Sequence, residues 1–245
     1  MQQNIYDHPV FFSQYQALRD SDTGLNGVLE QPALRGALPP LAGIDILDLG
    51  CGFGDFARWA RGEGAASVTA VDLSERMLEQ ARARTQDPAI QYRCAGIEDF
   101  QPPAAAYDLA VSSLALHYVE DYAAAAARVF AALRPGGVFA LTVEHPICTA
   151  SPQGWALDAA GEPSHWTLDA YFQQDARASR WFVDGVIKHH RTVESYVKGL
   201  LDAGFQLLHL GEPAPDPQTL AHRDGLRPHA RRPALLLLSA QKPAR

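Results

Sequence analysis

The sequence predicts an α/β fold, a doubly wound and mostly parallel sheet, and three observations carry that prediction. First, the apolar run Ile46-Leu47-Asp48-Leu49 breaks into Gly50-Cys51-Gly52-Phe53-Gly54 and then turns helical, the pattern of a strand, a tight turn and a helix. Second, strand-like and helix-like patterns alternate from there to residue 143, as parallel strands joined by crossover helices require. Third, the apolar runs 205–210 and 233–240 follow one another with no helical pattern between them, so they are expected as antiparallel neighbours. At 245 residues the chain is long enough for one large domain with a full core, or for two small ones.

Each element has a local reason. Residues 67–72 are β-branched and apolar, and Ser74 behind them is a good N-cap for a helix through Arg84. Residues 90–94 and 107–113 read as further strands. Asp121 can cap a helix with apolar positions Tyr122, Ala126, Val129, Phe130 and Leu133, which Pro135-Gly136-Gly137 should stop before a strand over 138–143. Thr192 can cap a helix whose apolar positions 193, 196, 197, 200 and 201 keep the helical period until Gly204.

Two segments break the rhythm. Residues 1–40 hold an aromatic-rich helix candidate at 11–19, and 146–191, too long for a plain connection, carry Trp155, Trp166, Tyr171, Phe172, Trp181 and Phe182. Both are expected to cap the carboxyl edge of the sheet, where open α/β sheets bind ligands. The expected division within one domain, 1–245, is an N-terminal cap segment (1–40), a cofactor-binding core (41–145), an inserted substrate cap (146–191) and a C-terminal helix with the strand pair (192–245).

Composition excludes several function classes. A net charge of -7 opposes a nucleic-acid partner, because such binding leans on phosphate neutralisation. The one basic stretch, from His222 to Arg232 with Arg223, Arg227, Arg231 and Arg232, reads as a solvated loop, with a functional anion contact as the alternative. No apolar run approaches the ~18 residues of a membrane span. The polar start, Met1 to His8, lacks a signal-peptide pattern. Cys51, Cys94 and Cys148 are far apart, and the histidines lack ligand spacing, so neither a disulfide framework nor a metal site is expected. The expectation is a cytoplasmic monomer or homodimer without a membrane or nucleic-acid partner.

The glycine spacing narrows the ligand. A dinucleotide fingerprint, G-x-G-x-x-G, needs glycine at position 55, where Asp55 stands and would repel a pyrophosphate. The G-x-G-x-G form, with Asp48 two residues before Gly50, resembles instead the first motif of class I S-adenosylmethionine-dependent methyltransferases. Asp72, at the end of the second strand, suits both ribose hydroxyls of a nucleoside and does not by itself separate this cofactor from NAD. The run Leu73-Ser74-Glu75-Arg76-Met77-Leu78, residues 95–100 and Leu133-Arg134-Pro135-Gly136-Gly137 extend the resemblance over residues 44–144. In order and spacing these are similar to the small-molecule, methyltransferase type 11/25-like branch.

The resemblance implies a Rossmann-like methyltransferase sheet of seven strands with the last antiparallel. It also implies S-adenosyl-L-methionine as cofactor, released as S-adenosyl-L-homocysteine. Its binding residues carry over to Asp48, Gly50, Cys51, Gly52, Gly54, Asp72, Leu73, Met77, Ile97, Glu98 and Ser112. One departure is Gly96, where many relatives place an aspartate for the adenine amino group; Ile97 and Glu98 or Asp99 are left to read that edge. Tyr15 and Arg19, one turn apart on a helical face, could reach the amino-acid end of the cofactor.

Methyl transfer is an in-line displacement that needs a base only when the nucleophile must lose a proton. His117 and His145 each follow a sheet strand at its carboxyl end, and His190 stands at the end of the inserted segment; these are the candidate catalytic residues. A DNA-base enzyme would carry an Asn/Asp-Pro-Pro-aromatic element where this chain has Ser112-Ser113-Leu114-Ala115. The aromatic caps suggest a small, flat or partly apolar acceptor, with N or O rather than C as nucleophile. The competing readings are a non-catalytic S-adenosylmethionine sensor or scaffold and an NAD-dependent oxidoreductase; Asp55 and the antiparallel last strand oppose the latter.

Overall fold

The computed structural model describes residues 3–21, 24–151 and 153–244. Five strands run parallel: β1 (Asp45–Leu49), β2 (Ser67–Asp72), β3 (Ile90–Cys94), β4 (Tyr107–Ser113) and β5 (Leu133–Glu144). Four short strands of the inserted segment follow as two hairpins, β6 (Trp155–Leu157) with β7 (Pro163–Trp166) and β8 (Ala176–Trp181) with β9 (Val183–His189). The last two strands, β10 (Gln206–Gly211) and β11 (Leu235–Gln241), complete a sheet of order β10-β11-β5-β4-β1-β2-β3, with β11 antiparallel to both neighbours. Seven strands with the last one inserted antiparallel is the arrangement the resemblance implied.

The sheet is apolar on both faces because helices cover both. On one face Leu47, Leu141, Leu236 and Leu238 pack with Tyr122 and Val129 of α5 (Tyr122–Ala132) and Tyr196 and Leu200 of α7 (Val193–Asp202). On the other, Ile46, Val68, Leu109 and Leu237 meet Leu34 of α2 (Gln31–Gly36), Phe56 and Ala60 of α3 (Asp55–Gly62) and Leu78 of α4 (Glu75–Ala83). The continuous run in β11 follows, since a strand covered on both sides has no polar face. The caps form as expected: Ser74, Asp121 and Thr192 accept from the backbone N–H groups of Met77, Ala124 and Ser195.

Three local expectations shift. Pro135-Gly136-Gly137 does not separate helix from strand: β5 already begins at Leu133, which pairs with Tyr107, and Gly136 donates to the Lys242 carbonyl at 2.9 Å. The link between β10 and β11 holds α8 (Pro217–His222), capped by Asp216, too short to display an apolar period. Leu201 is 49% exposed, because it stands a residue beyond Leu200 and the buried stripe of α7 is narrower than its apolar run.

Strand order reverses between β1 and β4, opening a crevice at their carboxyl ends. Above it, α1 (Pro9–Ser21) meets the β8–β9 hairpin edge to face: Phe11 lies 5.1 Å and Tyr15 5.8 Å from Trp181. Such pairs contribute about 0.5–1.5 kcal/mol each beyond their burial. The β6–β7 hairpin goes elsewhere. Its Trp155 and Trp166 rings pack together and take Arg231 and Arg232 on their faces.

Candidate active site

The glycine loop forms where β1 must turn sharply into α3. Gly50, Gly52 and Gly54 all have positive φ, at 78°, 52° and 69°. A Cβ on Gly50 would stand 2.3 Å from the Ala115 Cβ, and one on Gly54 2.4 Å from the Tyr92 hydroxyl, so side chains are excluded on steric grounds as well. Gly50 and Cys51 donate to the Val71 carbonyl at 2.8 and 3.0 Å, which pins the loop to β2. Asp72 closes the arrangement. One carboxylate oxygen accepts from Gly52 N–H at 2.8 Å and the other from Ser74 N–H at 2.9 Å.

Two carboxyls, the buried Asp48 and the half-buried Asp72, face this loop. Asp48 is 1% exposed and its Oδ2 has no hydrogen-bond partner. Burial, reinforced by the charges of Asp72, Asp55 and Glu30, pushes its pKa up to about 8. Burial likewise raises Asp72, against the pull of its backbone hydrogen bonds. An orphaned acceptor beside a second carboxylate is a site for a cationic ligand, and the side-chain-free cradle at Gly50 lets that ligand approach the backbone. Both features fit the ammonium and sulfonium of S-adenosylmethionine, and neither fits a pyrophosphate.

These groups line one cavity of about 860 Å³. Asp48, Gly50, Cys51, Gly52, Asp72, Leu73, Met77 and Ile97 stand in its wall at the β1–β2 end, together with Tyr15 and Arg19 from α1. Arg19 donates to Asp55 at 2.7 Å and to Asn26, so α1 is strapped to the start of α3. The structure does not bring every expected residue there. Ser112 is fully buried and donates to the Leu49 carbonyl at 3.0 Å inside the sheet. Glu98 is spent on the N–H groups of Glu120 and Asp121 at the entry to α5. Gly54 stands behind the wall as the N-cap of α3.

Of the three histidines expected at the acceptor end, only His117 lines the cavity. It is 4% exposed, and burial, helped by Lys188 and Arg191, holds its pKa well below the usual histidine value. Its Nδ1 accepts the Glu144 N–H at 3.3 Å, which assigns the ring proton to Nε2. His145 lies outside, its Nδ1 capping α6 (Pro146–Thr149) at Ile147 N–H and its Nε2 2.9 Å from Glu212. His190 is also outside, held between the Thr149 hydroxyl at 2.6 Å and the Tyr171 carbonyl at 2.8 Å. Both rings have no nitrogen left for a reacting atom.

Sequence patterns did not signal Glu30. It is fully buried in the wide helical turn Asn26–Glu30, where its carboxylate accepts from Ser113 (2.8 Å) and Thr142 (2.6 Å) at the ends of β4 and β5. Asn26 and Gln31 complete its shell at 2.9 and 2.7 Å. Burial raises its pKa against the bonds from Thr142, Ser113 and Gln31 and the charge of Arg19. Its partners on the strands lie 83 and 112 residues away, so no local motif could mark it. Lys188, which pairs with Glu144 at 2.5 Å, and Trp181 complete the acceptor wall.

Comparison with known proteins converges on one family. Residues 46–137 match a family model described as a methyltransferase domain. An S-adenosylmethionine-dependent methyltransferase structure from Mesorhizobium loti is 45% identical, superposes with a TM-score of 0.83, and aligns with 89% of this chain and all of its own. An uncharacterized Haemophilus influenzae protein is 32% identical over 98% of this chain and 97% of its own length. The malonyl-[acyl-carrier protein] O-methyltransferase of Enterobacter lignolyticus is 41% identical, but over only 45% of this chain and 43% of that protein. No helix among the described residues is long and apolar enough to cross a membrane. With near-full-length identity added to a glycine cradle and an orphaned carboxyl suited to a sulfonium ligand, the chain belongs to the S-adenosylmethionine-dependent methyltransferases.

Proposed function

We propose that the enzyme methylates a small molecule at an oxygen or nitrogen atom, in the cytoplasm, with residues 1–40 and, from the inserted segment 146–191, the β8–β9 hairpin acting as caps over the site. The observation that carries this reading is the cavity. Its 860 Å³ lies near the top of the range for single-ligand pockets, enough for cofactor and a small acceptor together. Asp48, Asp72, the glycine loop, Met77 and Ile97 are proposed to hold the cofactor, with Tyr15 and Arg19 at its amino-acid end. Glu98 and Ser112 are left out of that set, and His117 alone is kept as a candidate catalytic histidine. Bound S-adenosylmethionine supplies a methyl group on a positive sulfonium. Alignment and exclusion of water are then the main tasks of this chain, served by Tyr6, Tyr118 and Trp181 in the cavity wall.

His117 acts as a hydrogen-bond donor to the acceptor, since its Nδ1 is already an acceptor and its Nε2 carries the proton. Glu144 is occupied by Lys188, and burial raises the Tyr118 hydroxyl well out of reach of neutral pH. With none of these three groups poised as a base, the fitting nucleophile is one with a free lone pair near neutrality, such as a carboxylate oxygen or an amine nitrogen. The O-methyltransferase among the partial relatives supports the oxygen case. Incubation with methyl-labelled cofactor and a small-molecule extract, followed by mass spectrometry, tests the reading. A labelled small product is expected; label confined to protein or nucleic acid overturns it.

A further inference from the structure

We infer that the acceptor carries an oxyanion, a carboxylate or a phosphate, held by Arg232; this rests on the methyltransferase reading and adds the substrate class. The acceptor end of the cavity collects Glu144, Cys148, Lys188 and Arg232 around the end of β5. The charges there do not cancel. Glu144 is neutralised by Lys188 at 2.5 Å, and Glu212 beyond the wall engages His145. Arg232 has no carboxylate within 4 Å among the described residues. Its guanidinium is stacked 3.9 Å over the Trp166 ring, and Nη1 donates to the Cys148 sulfur at 3.0 Å and the Pro233 carbonyl at 3.2 Å. Nε is buried with no acceptor at all. With Nη1 spent and Nε closed off, Nη2 is the donor this fixed guanidinium has left, and it presents a charge-assisted hydrogen bond to an oxyanion. Arg35, also in the wall, is exposed on the Trp59 ring, and Arg180 is 81% exposed beside Asp184, so both sit at the rim.

The test uses the full chain saturated with S-adenosylhomocysteine, titrated calorimetrically with benzoate, phenyl phosphate and the neutral benzamide. At least one anionic probe is expected to bind tenfold or more tighter than benzamide, and the two anions separate carboxylate from phosphate. Arg232→Gln should erase that preference, while Arg232→Lys keeps part of it. Thermal melts of both variants, and their affinity for S-adenosylhomocysteine, should match the parent, which separates charge recognition from a role in fixing the hairpin. No anion preference in the parent, or a preference that survives Arg232→Gln, overturns the inference. Failure of the parent to bind S-adenosylhomocysteine would instead count against the methyltransferase site.

Discussion

Asp48→Asn should make the protein more heat-resistant in alkaline buffer while weakening its hold on the cofactor. The carboxyl is raised from 3.8 to about 8 in the fold, so between pH 4 and 8 the folded chain binds a proton there that the unfolded chain has released. Stability contributed by the neutral form is complete below the unfolded pKa and is lost as pH climbs to the folded one. A gap of about four pKa units, at 1.36 kcal/mol each, corresponds to a loss of ~5 kcal/mol by pH 9. Asparagine carries no such slope, but its amide meets the same unpartnered surroundings, which costs about 1–3 kcal/mol. The net gain near pH 8.5 is ~2–4 kcal/mol, or roughly 5–12 °C in Tm for a chain of this length. At pH 5 the variant should melt no higher than the parent. Thermal unfolding of both proteins without cofactor from pH 5 to 9 reads this directly. Melting curves that stay parallel across the range would refute the assignment of Asp48 as a carboxyl that the fold keeps protonated.

Three more outcomes are expected. Gly50→Ala should abolish measurable S-adenosylhomocysteine binding in calorimetry and lower stability by ~2–4 kcal/mol, because the new methyl collides with Ala115 at a backbone φ of 78°. Asp72→Ala removes the acceptor of Gly52 and Ser74 N–H and should weaken S-adenosylhomocysteine by roughly 10- to 100-fold; an affinity within threefold of the parent contradicts its role at the ribose. His117→Ala should bind S-adenosylhomocysteine normally yet turn over more slowly. Since burial keeps the ring neutral across the working range, the pH–rate profile of the parent should show no inflection near pH 6.5 attributable to it, and one that disappears in the variant would contradict this.

What could be read from the chain in advance was what local chemistry writes locally. Strands over 67–72, 90–94 and 107–113 end where their residue types change, and Ser74, Asp121 and Thr192 mark helix starts by the hydroxyl or carboxylate each presents. The glycine loop was legible because only glycine tolerates that backbone so near Ala115 and Tyr92. The acceptor wall was not. His145 and His190 occupy plausible places in the sequence, but whether a ring faces the cavity depends on Glu212, Thr149 and Tyr171, which only the fold brings up to it. Arg232 looked like one member of a solvated basic run, and it took Trp166 and Cys148 to turn it inward.

Glu30 carries a consequence for how the protein is made. Its carboxylate leaves the ribosome 83 residues before Ser113 and 112 before Thr142. At about 5–20 residues per second, roughly 5–20 s of synthesis separate that group from its last partner. Through this interval Phe12 can already meet Phe53 and Met77, but Phe11 lacks Trp181 and Leu29 lacks Ala234 and Leu235, the surfaces that later bury them. The first part of the chain to be translated is therefore among the last to settle. A nascent chain arrested before residue 142 should present this segment to chaperones and proteases, and full withdrawal should wait for Trp181 and then for Ala234 and Leu235.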